Sequence, residues 1–125
     1  MKVLLSFEEE YRVYMEAMAD AIRVFRPNVE VAIADAGELE AEEERLDPQL
    51  VICSLPLSHN SVDNQLARIE LSPEPEQPSR FRVGERRWES TNPTLGEILP
   101  VVDEIKKLLR TSREQELTDD DTGDL

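Results

Sequence analysis

The chain has 125 residues, a length typical of one domain, and its 14 basic and 28 acidic side chains give a net charge of −14. Such an acidic chain repels the phosphates of DNA and anionic lipid headgroups, so we expect neither nucleic acid nor a membrane as a partner. No apolar run approaches the ~20 residues that a membrane-spanning helix needs. One cysteine excludes an internal disulfide and the amino-terminal segment has no signal-peptide pattern, which together predict a cytoplasmic protein.

The first third of the chain alternates strand and helix patterns. Residues 2–6 predict a strand, and the following helix has apolar positions at steps of four and three: Tyr11, Met15, Met18, Ile22 and Phe25. Pro27 ends that helix. Residues 29–34 then predict a second strand, and Glu30 indicates a position near the sheet edge.

A short helix and a buried strand complete the first half. Leu39 and Leu46 mark a helix of about two turns. The apolar run at residues 50–55 predicts a strand buried on both faces. The helical connections between these strands have the length that parallel neighbours require. Residues 2–55 therefore predict a βαβαβ unit with the sheet order two-one-three.

The second half follows a different pattern. Residues 67–71 alternate apolar side chains with Arg68 and Glu70, which predicts a short strand at the other sheet edge. A proline-rich loop over residues 72–79 leads into a hairpin. The turn Gly84-Glu85 sets Phe81 opposite Trp88. Three hairpin arginines fall on the other face of the strands: Arg80, Arg82 and Arg87.

The last element is a helix with an apolar stripe that ends near Arg110 and contains Pro100. Capping-box spacing marks three predicted helix starts, by the pairs Ser6 and Glu9, Asp35 and Glu38, and Thr94 and Glu97. The predicted fold is a three-layer α/β/α sandwich, flavodoxin-like, with a reduced second half made of a β-hairpin and a C-terminal helix. Residues 1–110 form the single domain and residues 111–125 an acidic, disordered tail.

Over residues 2–56 the chain resembles the response-regulator receiver family. The resemblance lies in Val3-Leu4-Leu5 before acidic residues, the helix start at Asp35, and the run from Pro48 to Ser54. A receiver carries an acidic pair after strand one, a phosphorylated aspartate at the end of strand three, and a later lysine. Here the aspartate position falls on Ser54, only Glu8 of the pair is acidic, and no lysine stands between Lys2 and Lys106. The resemblance therefore implies a degenerate domain without the family's phosphoryl chemistry.

Three other groups of residues suggest chemistry. Ser54, Glu8 and Asp35 converge at the carboxyl edge of the predicted sheet, but helix capping already explains the carboxylates, so we predict no metal. Cys53 and His59 could form a nucleophile and base, although a lone strand cysteine is usually a small apolar residue. The hairpin residues could dock an acidic or phosphorylated partner, or form a solvated edge that is ion-paired to the chain's own acidic surface: Arg80, Arg82, Arg86, Arg87 and Trp88.

The sequence favours a non-catalytic protein-interaction or signalling module that binds a protein partner or itself, as a homodimer, and needs no cofactor. The alternative is a small hydrolase or transferase with its site at the carboxyl edge of the sheet, using Ser54, Cys53 or Glu8. A deep pocket at the end of the third strand would favour the enzyme, and a filled edge would favour the module.

Overall fold

Six segments of four to six residues form the strands of one mixed sheet. The computed structural model describes residues 1–54 and 66–123, with side chains to residue 111. Its strands are β1 (Lys2–Ser6), β2 (Glu30–Ile33), β3 (Leu50–Ser54), β4 (Ala67–Leu71), β5 (Pro78–Val83) and β6 (Arg86–Thr91). Its α-helices are α1 (Arg12–Phe25), α2 (Leu39–Leu46) and α3 (Leu95–Gly123).

The sheet order is β2-β1-β3-β4-β5-β6, which confirms the predicted order two-one-three and the edge position of β2. The first four strands in that order are parallel, and β5 and β6 are antiparallel additions. The hairpin register also matches the prediction, with Phe81 opposite Trp88 and Arg82 opposite Arg87. The parallel strands bring the carboxyl ends of β1, β3 and β4 to one edge.

Alternating side chains divide the apolar residues between the two faces of the sheet. One face carries Val3, Leu5, Leu50 and Ile52, which form a large cluster with α1 and α3. The opposite face carries Leu4, Val51 and Cys53, which form a smaller cluster with Leu39 at the start of α2. The long helices therefore pack on one face, and the two-turn helix packs on the other.

The predicted edge position of residues 67–71 is wrong, because β4 lies inside the sheet between β3 and β5. The alternation of Arg68 and Glu70 suggested a solvated face. Arg68 is instead only 5% exposed, since its guanidinium is paired beneath α2. In β4, therefore, a charged residue that alternates with apolar ones is part of a buried ion pair and does not lie on a solvated face.

The capping boxes predicted at the first two helix starts are also wrong. Ser6 is the last residue of β1, and its hydroxyl donates to the carbonyl oxygen of Asp35 at 3.3 Å. A 3₁₀ turn precedes α1 and another precedes α2, and neither Glu8 nor Asp35 makes a side-chain cap bond. At the start of α3, the Glu97 carboxylate accepts a 2.6 Å hydrogen bond from the hydroxyl of Ser90 in β6.

The backbone of α3 stays helical to Gly123, well past the predicted end near Arg110. Composition alone predicted a disordered tail from Thr111. Residues 113–117 are Arg, Glu, Gln, Glu and Leu, all with high helix propensity, so the helical pattern has no local reason to stop there. Pro100 lies inside α3, as the sequence predicts.

Candidate functional site

Ser54 ends β3 at the carboxyl edge of the parallel strands, where an open α/β sheet usually places its ligand. Its hydroxyl oxygen accepts a 3.1 Å hydrogen bond from the backbone N–H of Glu8. Ser54 is 3% exposed, so this hydroxyl fastens the loop after β1 to the end of β3. The two predicted site residues therefore meet through the backbone of Glu8, an arrangement that holds structure together and leaves little hydroxyl surface for substrate.

A cleft of about 290 Å³ opens beside Ser54. Its apolar walls consist of three aromatic residues, one leucine and three prolines: Phe7, Tyr11, Tyr14, Leu71, Pro73, Pro75 and Pro93. Its polar lining consists of Ser54, Ser72, Ser79 and Asn92. The edge thus holds an aromatic cleft that is partly open to solvent, which we call the carboxyl-edge cleft.

Hydrogen bonds and ring contacts fix the walls of this cleft. Ser79 is 1% exposed, and its hydroxyl oxygen accepts from the backbone N–H of Ser72 at 2.9 Å. The rings of Phe7 and Tyr14 lie 6.0 Å apart between centroids and are tilted by 39°. The cleft is therefore built from the segment between β1 and α1, the first turn of α1, the ends of β3 and β4, the loop after β4, the start of β5 and the turn after β6.

Cys53 points to the opposite face and is completely buried. Burial, against a smaller lowering effect of Arg68, raises the pKa of its thiol from 9.0 to about 11. A thiol that stays protonated at neutral pH is a poor nucleophile. Its predicted base, His59, lies outside the described residues.

A buried ionic cluster surrounds that thiol. A guanidinium N–H of Arg68 donates to the sulfur of Cys53 at 3.7 Å, and another donates to the Glu43 carboxylate of α2 at 3.3 Å. The side chains of Arg68 and Glu43 are 5% and 9% exposed. No sequence motif predicts this cluster, because Arg68 lies 25 residues from Glu43 and 15 residues from Cys53 in the chain.

The predicted docking residues of the hairpin lie on two faces of the sheet. Arg86 lies 4.7 Å above the ring of Trp88 and pairs with Glu104 of α3 at 2.5 Å, so both belong to the face that α3 covers. Alternation places the other three arginines on the opposite face: Arg80, Arg82 and Arg87. Arg80 stands between Glu70 and Glu89 in the register. The structure therefore does not gather the five residues into one surface.

An exposed apolar surface runs along α1. We call it the α1 stripe, and it consists of Val13, Tyr14, Ala17, Val24 and Phe25. Val13 is 82% exposed, Val24 73%, Phe25 56% and Tyr14 53%. The apolar arc of α1 is thus wider than the core covers, since Met15, Met18 and Ile22 already fill the buried side. In the sequence, the α1 stripe is indicated by Val13 and Val24, two apolar residues that lie outside the apolar positions predicted for the buried side of this helix.

Among the described side chains, no three His, Cys, Asp or Glu residues are grouped closely enough to hold a metal ion. Within residues 1–54 and 66–123, no helix combines the length and apolar content that crossing a membrane requires. Comparison with family models, with curated proteins and with solved structures finds no match for this chain.

Proposed function

We propose that the chain is a non-catalytic interaction module that associates with a second copy of itself through the α1 stripe. The exposure of the α1 stripe is the observation that carries this proposal. Isolated exposed apolar residues are ordinary, but contiguous apolar patches on a folded surface are typical of protein interfaces. A two-fold homodimer is the commonest way to cover such a patch, since each copy contributes the same surface.

Local charge also favours this surface. A net charge of −14 opposes the approach of two copies, so an interface needs a region where charges cancel. Along α1, Arg12 pairs with Glu16 at 3.2 Å, and Arg23 pairs with Asp20 at 3.0 Å. At the end of the helix, Arg26 binds both carboxylate oxygens of Asp103 in α3. The α1 stripe is therefore flanked by neutralised charges.

Two features support a receiver-like ancestry for this module. The parallel order β2-β1-β3-β4 is the start of the flavodoxin-like order, and α2 lies across the sheet from α1 and α3, as in a three-layer sandwich. At the phosphoacceptor position, Ser54 is buried and bonded to the loop after β1. A hydroxyl held in this way supports a pseudo-receiver that signals by binding.

The alternative, a hydrolase or transferase at the same edge, draws little support from these groups. Ser54 has no described base beside it, and the Cys53 thiol has a raised pKa on the other face of the sheet. The acidic composition supports protein partners over nucleic acid or anionic membranes. A buried free cysteine also fits the proposed cytoplasmic location.

The test compares two exposed apolar side chains on different helices. Val24→Glu places a charge in the α1 stripe, and Leu108→Glu places the same charge on α3, where the leucine is 42% exposed. We expect Val24→Glu to lower the light-scattering mass towards the monomer and Leu108→Glu to keep the wild-type mass. Both variants should melt near the wild-type temperature, because exposed substitutions usually change stability little. Equal masses for the wild type and both variants would contradict the proposed interface.

A further inference from the structure

The aromatic walls of the carboxyl-edge cleft present ring surface to whatever enters it. Tyr11 is half-buried, and Tyr14, at 53% exposed, is held against the buried ring of Phe7. The volume of about 290 Å³ is close to the lower end of small-molecule sites, so it suits a small organic molecule or one side chain. The cleft therefore offers aromatic faces in a space the size of a small ligand.

Three glutamates are sequence neighbours of residues that line the cleft. Glu8 follows the lining residue Phe7, Glu10 precedes Tyr11, and Glu74 stands between two lining prolines. Burial first, and then the three carboxylates Glu10, Glu8 and Glu74, raise the pKa of the Tyr11 hydroxyl. None of the described lining residues is Lys or Arg. Anionic ligands such as phosphates are therefore disfavoured.

We propose that the carboxyl-edge cleft binds an organic cation, a quaternary ammonium or guanidinium group, held against the rings of Tyr11 and Tyr14. A cation within about 6 Å of a tyrosine centroid is attracted by the electron-rich ring face. The carboxylates of Glu8, Glu10 and Glu74, which act electrostatically on Tyr11, add long-range attraction without having to contact the ligand. Prolines and Leu71 exclude water around the apolar part of such a cation. A free quaternary ammonium compound and an arginine side chain of a protein partner share this chemistry.

Two matched pairs of probes separate charge from shape. Choline is compared with its neutral isostere 3,3-dimethylbutan-1-ol, and N-acetylarginine amide is compared with N-acetylcitrulline amide. Binding is followed by NMR shifts of the tyrosine ring protons during titration of the full chain. We expect saturable shifts with at least one cation and at least tenfold weaker binding of its neutral counterpart. Preference for choline indicates a free quaternary ammonium compound as ligand, and preference for the arginine amide indicates a protein side chain.

Variants then assign the binding to this cleft. We expect Tyr14→Leu to weaken the cation about fivefold and Tyr14→Phe to keep most of the affinity, because the ring face provides the attraction. Glu74→Gln should weaken binding about twofold, with the loss reduced by added salt. Glu44→Gln is the matched control, since it removes one exposed charge from α2 on the other face.

Three results would overturn the proposal: no saturable shift with either cation, equal binding of a cation and its neutral isostere, or unchanged affinity in both Tyr14→Leu and Glu74→Gln. Each of these variants alters an exposed side chain, and melting curves identify any loss of fold. Because Tyr14 belongs both to the α1 stripe and to the cleft, cation binding is measured at a concentration where the chain is monomeric. There Val24→Glu, about three turns along α1 from Tyr14, should leave cation binding unchanged.

Discussion

At the scale of single residues, the thiol of Cys53 shows how burial decides reactivity. It is completely buried, and its pKa is raised from 9.0 to about 11, so the thiolate is scarce at neutral pH. We expect iodoacetamide to alkylate the native protein slowly at neutral pH and the urea-unfolded protein quickly, with both rates read by mass spectrometry. Rapid labelling of the native chain would contradict the buried position and would support the alternative in which Cys53 is a nucleophile.

The same thiol links stability to pH. In the unfolded chain it titrates near 9.0 and in the folded chain near 11, so between these values the unfolded state binds fewer protons. Stability that is fully present below 9.0 is therefore lost as pH rises towards 11, by about 2–3 kcal/mol for a shift of this size. Urea unfolding at several alkaline pH values should show a steeper loss in the wild type than in Cys53→Ala. If the free energy of unfolding falls equally with pH in the wild type and in Cys53→Ala, the thiol does not contribute this pH dependence.

At the scale of elements, the ion pair between Arg68 and Glu43 joins β4 to α2. Both side chains are at least nine-tenths buried, so removing one partner leaves a buried charge without its counter-charge. We expect Glu43→Ala to lower the free energy of unfolding by about 3–5 kcal/mol, measured by urea denaturation. Replacing both residues with methionine should restore much of that loss.

The neighbouring glutamate is the matched control for this prediction. Glu42 pairs at 2.6 Å with Arg45, whose side chain is 65% exposed, and a solvated pair contributes little. Glu42→Ala should therefore unfold close to the wild-type urea concentration. If Glu43→Ala costs no more than Glu42→Ala, the buried pair does not hold α2 to the sheet.

Trp88 anchors the hairpin formed by β5 and β6. Its ring stacks on the buried ring of Phe81 with centroids 5.3 Å apart, and the guanidinium carbon of Arg86 lies 4.7 Å from the centroid of the Trp88 ring. We expect Trp88→Ala to destabilise the fold by about 2–4 kcal/mol, less than for a fully buried tryptophan. Arg87→Ala, an adjacent exposed residue on the other face, should melt like the wild type. Equal melting temperatures for Trp88→Ala and the wild type would mean that the stacked pair of Trp88 and Phe81 adds no stability.

The sequence allowed the elements with local signals to be predicted. Apolar runs and the Gly84-Glu85 turn determine the parallel half and the hairpin register, because both depend on neighbouring residues. The place of β4 could not be predicted, because Arg68 is neutralised by Glu43, 25 residues away. The carboxyl-edge cleft could not be predicted either, because its lining residues are spread along the chain from Phe7 to Pro93.

At the scale of the whole molecule, two opposing effects act on self-association. The α1 stripe favours burial of its apolar surface, whereas the net charge of −14 drives two copies apart. Salt screens the repulsion between exposed charges and leaves the apolar attraction in place. The proposed dimer should therefore become more stable as ionic strength rises, unlike a dimer held by ion pairs.

Sedimentation equilibrium of the unmodified chain at low and high salt tests the proposed interaction module most directly. We predict that the average mass rises from the monomer value towards twice that value with concentration, and that it rises at lower concentration in high salt. A monomer mass at every concentration in both salts would contradict the central claim that this chain is a self-associating module.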